Sequence, residues 1–169
     1  LGHHPGDGVE VGGTHYSVVG CLCRALELDA ADAQCWAQLG RHESHRVVAG
    51  EELTQQQCYA RAAALAPSDD DVWLCLGYYG GGDVAGTEYT PEQCVHRCLA
   101  LNPENTKAWN SLGRFGGGDV GGEAVSRKQC FERALAADAT NCSAWNNLGM
   151  AGGGALNGTE FSSPQCFIA

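Results

Sequence analysis

Trp109-Asn110-Ser111-Leu112-Gly113 decides the architecture, because the chain writes this stretch four times. Its counterparts are Trp36-Ala37-Gln38-Leu39-Gly40, Trp73-Leu74-Cys75-Leu76-Gly77 and Trp145-Asn146-Asn147-Leu148-Gly149, with the tryptophans 37, 36 and 36 residues apart. Leu1-Gly2 reads as the tail of a further copy. A fixed period of this length marks a tandem array. Within each copy Trp and Leu stand three apart and so share one helix face. The expected core is therefore Trp36, Trp73, Trp109 and Trp145 with Leu76, Leu112 and Leu148. Each indole belongs in a seam between helical pairs, where truncation to alanine costs about 3–5 kcal/mol.

Downstream of each motif the glycines gather, as in Gly80-Gly81-Gly82-Asp83-Val84-Ala85-Gly86 and Gly116-Gly117-Gly118-Asp119-Val120-Gly121-Gly122. The stretch reads as a loop whose valine or leucine tucks onto the array while the glycines supply positive φ, with a small hairpin as the alternative. A second helix then opens on a capping box. Thr54 with Gln57, Thr90 with Gln93, Ser126 with Gln129 and Ser162 with Gln165 have the required spacing. We term the Trp-bearing helix A and the capped one helix B. The array occupies 1–169 as a single domain with units at about 1–30, 31–66, 67–102, 103–138 and 139–169. Both ends read as cuts in a longer protein.

Cys21, Cys58, Cys94, Cys130 and Cys166 recur with the period. A cysteine in register is read as a small buried apolar side chain, which adds Cys58, Cys94 and Cys130 to the core and predicts a reducing, intracellular, cytoplasmic setting. The formal charge is −10, from 20 acids against 10 bases. Nucleic acid as a partner is excluded by the lack of a basic stripe, and no run of 18 apolar residues calls for a membrane.

The Trp-x-x-Leu-Gly motif, the helix carrying Phe131 and Ala134, and the closing Pro103 together resemble the tetratricopeptide repeat. The unit is longer than that family's, with a Gly-rich insertion, and is similar to long tandem arrays of kinetoplastid and other protist proteins. The resemblance implies an all-α fold, an αα-superhelix in which Gly-rich loops join helix A to helix B. It also implies a non-catalytic scaffold that binds a protein or peptide in a concave groove lined by helix A. The groove residues would be Asn110, Asn146, Asn147, Lys107, Arg114, Arg41 and Tyr78. The asparagine amides can serve both donors and acceptors of a peptide backbone, and Lys107 and Arg114 can meet a carboxylate. The alternatives are a spacer array that self-associates end to end, or a regulatory array of a larger enzyme.

Other chemistry lacks the groups it needs. His42 and His45, with Cys35 near, lack the converging third and fourth ligands that zinc needs, and His3 and His4 stand apart, so no metal or cofactor is expected. Asp83 and Asp119 beside the glycines would repel phosphate, and one Asp per loop supplies too few oxygens for calcium. Asn157-Gly158-Thr159 and Asn141-Cys142-Ser143 match the glycosylation acceptor, a match read as chance in a cytoplasmic chain. No Ser/His/Asp grouping or carboxylate pair recurs, so nothing calls for catalysis.

Overall fold

Helix starts are dictated by short polar side chains that satisfy orphan N–H groups. Helix A opens each time on an Asp or Asn. The Asp32, Asp69, Asn105 and Asn141 side chains accept from the backbone N–H groups of Cys35, Val72, Ala108 and Ala144. Helix B opens on the capping boxes, with the Gln57, Gln93, Gln129 and Gln165 amide oxygens accepting from the N–H groups of Thr54, Thr90, Ser126 and Ser162. A computed structural model describes residues 8–42 and 47–167. Leu1, His3, His4, His45 and the two residues after Phe167 lie outside that range, as do the readings placed on them.

In chain order the elements begin with β1 (Gly8–Val11), β2 (Thr14–Ser17) and α1 (Val18–Leu28). Then come α2 (Ala33–Arg41), β3 (Val47–Val48), β4 (Glu51–Glu52), α3 (Gln55–Leu65), α4 (Asp70–Tyr78), β5 (Gly82–Val84), β6 (Thr87–Tyr89) and α5 (Pro91–Leu101). The rest are α6 (Thr106–Phe115), β7 (Gly117–Val120), β8 (Glu123–Ser126), α7 (Arg127–Ala137), α8 (Cys142–Met150), β9 (Gly154–Leu156), β10 (Thr159–Phe161) and α9 (Ser163–Cys166). Helix A is thus α2, α4, α6 and α8. Helix B is α1, α3, α5, α7 and the short α9.

The expected all-α αα-superhelix is overturned. Among the described residues five antiparallel two-stranded hairpins, β1–β2, β3–β4, β5–β6, β7–β8 and β9–β10, alternate with the helices, so the fold is mixed α/β. The resemblance to the tetratricopeptide repeat, a purely helical solenoid, falls with it. The reason is local. Gly12-Gly13, Ala49-Gly50, Ala85-Gly86, Gly121-Gly122 and Asn157-Gly158 all have positive φ at both positions, the two-residue turn that matches strand twist. Asp83 and Asp119 brace two of these turns through their Oδ1 atoms, which accept from the N–H groups of Gly86 and Gly122 at 2.7 and 2.9 Å. Alternating residues on either side then pair in register, as in Gly82 with Tyr89 and Val84 with Thr87. The Trp-x-x-Leu-Gly motif reports helix packing only, and is silent about what joins the helices.

The four later hairpins lean on helix B of the unit before them, β3 on α1, β5 on α3, β7 on α5 and β9 on α7, while β1–β2 packs on α1 itself. Val48 and Val84 are buried there, and Val120 and Leu156 are half-buried. The four indoles are equivalently placed. Trp36, Trp73, Trp109 and Trp145 are buried, and each donates Nε1–H to the carbonyl six residues back, on Ala30, Pro67, Pro103 and Ala139, at 2.6–2.9 Å. Leu76, Leu112 and Leu148 are wholly buried beside them, as are Cys58, Cys94 and Cys130. All ten cysteines are free thiols. Burial pushes the Cys94 and Cys130 thiols up to about 11 and Cys98 up to about 12, since a thiolate would lose its hydration.

Candidate functional site

The glycine that ends each helix A motif allows helix B to come close. A Cβ on Gly40 would stand 2.8 Å from the Tyr59 ring, and one on Gly113 would run into the Phe131 ring. This contact leaves a depression between successive A helices, floored by a residue of helix B. Between α4 and α6 the cleft measures about 310 Å³ and is lined by Gly77, Tyr78, Gly80, Pro91, Val95, Ser111, Arg114 and Phe115. Between α6 and α8 it measures about 280 Å³ and is lined by Gly113, Arg114, Arg127, Phe131, Asn147, Met150 and Ala151. The two linings match by register. Gly77, Tyr78, Pro91, Val95, Ser111, Arg114 and Phe115 of the first stand 36 residues before Gly113, Arg114, Arg127, Phe131, Asn147, Met150 and Ala151 of the second.

At the α2–α4 junction the equivalent space is filled. Tyr79 stacks on Tyr59 with ring centroids 5.4 Å apart, and the Gln55 side-chain amide donates to both the Gly40 carbonyl at 3.0 Å and the Tyr79 hydroxyl at 3.2 Å. The side chain at this register shrinks from Tyr79 through Phe115 to Ala151. A separate hollow of about 320 Å³ between α2 and α4 is lined by Gln34, Gln38, Arg41, Tyr59, Asp71 and Cys75 among others. Burial raises both the Tyr59 phenol and the Cys75 thiol at its floor, so each is held in its neutral form.

The residues expected to line a groove divide as follows. Tyr78, Arg114 and Asn147 line the two open clefts, joined there by Met150, while Arg41 lines the α2–α4 hollow. Tyr78 is 76% exposed and Met150 74% exposed, although both are apolar in bulk. Asn147 donates through Nδ2 to Asn110 Oδ1 at 2.9 Å, joining α6 to α8 and leaving the Asn110 amide N–H groups without another partner among the described contacts. Asn146 is exposed and donates to Met150 Sδ at 3.7 Å. Lys107 is exposed and lines none of the three depressions. Among the described residues Arg41, Lys107, Arg114 and Arg127 make no ion pair, whereas Arg24, Arg61 and Arg133 pair with Glu27, Glu51 and Glu123.

A second series escapes a reading by hydrophobic pattern. Arg24, Arg61, Arg97 and Arg133 recur at 37, 36 and 36 residues. Arg61, Arg97 and Arg133 place their guanidinium groups 4.9, 5.3 and 4.8 Å from the ring centroids of Trp36, Trp73 and Trp109. The strand that precedes helix B packs against the same indole in two units. Tyr89 meets Trp73, and Phe161 meets Trp145, edge-on at 4.9 Å. The signal was the period itself, applied to charged residues as well as apolar ones.

No group of three His, Cys, Asp or Glu side chains able to hold a metal occurs among the described residues. No described helix is long and apolar enough to cross a membrane. No protein-family model matches the chain, and no curated protein matches it either.

Proposed function

We propose that this chain is a non-catalytic protein-interaction scaffold that holds a segment of another protein along the face formed by α4, α6 and α8. One observation carries the reading: the clefts between α4 and α6 and between α6 and α8 are built from the same seven register positions, and large side chains beside them stand in solvent. Exposed apolar bulk next to a concave pocket is the usual mark of a binding surface. The half-satisfied Asn110–Asn147 pair adds donors and acceptors suited to a peptide backbone. A tyrosine at an interface supplies contact area at low entropic cost, and a methionine adapts its flexible thioether to the shape of the partner.

A random decapeptide library displayed against the full chain tests this. Selected binders are expected to weaken about tenfold in each of Tyr78→Ala, Met150→Ala and Asn147→Ala, because an interface concentrates its energy in few residues. Binders indifferent to all three substitutions, or no binders at all, would overturn the reading.

A further inference from the structure

Building on that reading, we infer that the two open clefts together select an extended segment with an apolar residue and an anionic residue three positions apart. The clefts are equivalent in position but not in chemistry. The α4–α6 cleft presents Gly77, Pro91, Val95 and Phe115, with Tyr78, Ser111 and Arg114 beside them and no acid in its lining. Its lining suits an aliphatic side chain or a proline. In the α6–α8 cleft Arg127 takes the place of Pro91, Asn147 that of Ser111, and Arg114 stands on the shared ridge. Two guanidinium groups without an ion-pair partner flank that cleft, in a chain whose net charge is −10. Both would be drawn to a carboxylate or a phosphate, and the forked geometry of arginine favours either.

The spacing follows from the fold. Helices α6 and α8 approach each other directly, and packed helices stand about 10 Å apart, so one cleft lies roughly that far from the next. A polyproline-II segment has three residues per turn and advances about 3.1 Å per residue, so residues three apart face the same way about 9 Å apart. A β-strand repeats its face every second residue, at about 6.6 or 13 Å, and misses the step. The two depressions are separate and not one continuous trough, which suits side chains entering one at a time and not the flank of a helix.

The test uses fluorescein-labelled decapeptides on the full chain. Leucine and glutamate are set three apart around two prolines, in both orders. Matched peptides replace the glutamate by glutamine or phosphoserine, or change the spacing to two or five. In one order the glutamate or the phosphoserine peptide is expected to bind about tenfold tighter than the glutamine peptide, as a charge-assisted bond would give. That margin should vanish in Arg114→Gln and in Arg127→Gln and persist in Lys128→Gln. Equal binding of anionic and glutamine peptides, or indifference to spacing, would overturn the inference. The library selection separates the two failures. Binders that depend on Tyr78 and Met150 but carry no such pattern leave the scaffold reading standing, while an absence of binders on this face removes both.

Discussion

Single residues hold this molecule to tight tolerances. Gly113→Ala gains helix propensity worth about 1 kcal/mol, yet its new methyl collides with the Phe131 ring. Overpacking costs typically about 1–3 kcal/mol, so we expect a net loss in a urea melt, partly recovered by adding Phe131→Leu. Ala85 poses the opposite case. It sits at φ 53° in the first turn position of β5–β6, where Asn157 does the same work in β9–β10. Left-handed backbone costs a Cβ-bearing residue about 1–2 kcal/mol and asparagine less, so Ala85→Asn should raise the urea midpoint. The thiols make a pH prediction. Cys94, Cys98 and Cys130 ionise in the folded chain only near 11 or 12, against roughly 8.5 when unfolded. Above that value the unfolded chain binds fewer protons, so stability falls as pH rises from about 9 towards 11. Thermal melts at pH 7.5 and 10.5 should show the fall, and Cys98→Ala should make it smaller.

At the scale of the element, the hairpin is the part that the periodic motif did not disclose. Helix A and helix B were legible because capping residues and apolar positions repeat at helical spacing. The capping boxes at Thr54, Thr90 and Ser126 close with both bonds formed. The strands are only two to four residues long, too short for an alternating pattern to stand out. The Asn157-Gly158 pair is the strongest hairpin signal, Gly12-Gly13 and Gly121-Gly122 merge into glycine-rich surroundings, and Ala49 and Ala85 at equivalent turns hide it in the other units. The clefts were legible in part. Tyr78 and Arg114 were among the groove residues named from the sequence, but the matched floors of Pro91 with Val95 and Arg127 with Phe131 depend on how close helix B lies. A hairpin also contributes stability through one side chain. Val84 is 8% exposed where β5 leans on α3. Val84→Ser should cost about 1–2 kcal/mol, and Val120→Ser, at a half-buried site, should cost less in the same denaturation assay.

Across the whole molecule the helix–hairpin–helix unit recurs with each indole under an arginine or beside a hairpin residue. Units hold to one another by the hairpin resting on the preceding helix B and by bonds that cross the boundary. Asp70 accepts from the side-chain amides of Asn102 at 3.0 Å and Asn105 at 2.8 Å, fixing α4 to the turn before α6. The stretch between helix A and helix B closes into an antiparallel pair in every unit, which sets where the A helices and their clefts stand. In such pairs the residues that do not exchange hydrogen bonds bring their Cα atoms to about 4.5 Å. The direct measurement is a nuclear Overhauser spectrum of the labelled chain. It should show Hα–Hα cross-peaks between Asp83 and Glu88, Asp119 and Ala124, and Ala155 and Glu160, the register partners one step from each turn. Absence of all three, with helical connectivities running through those stretches instead, would contradict the account.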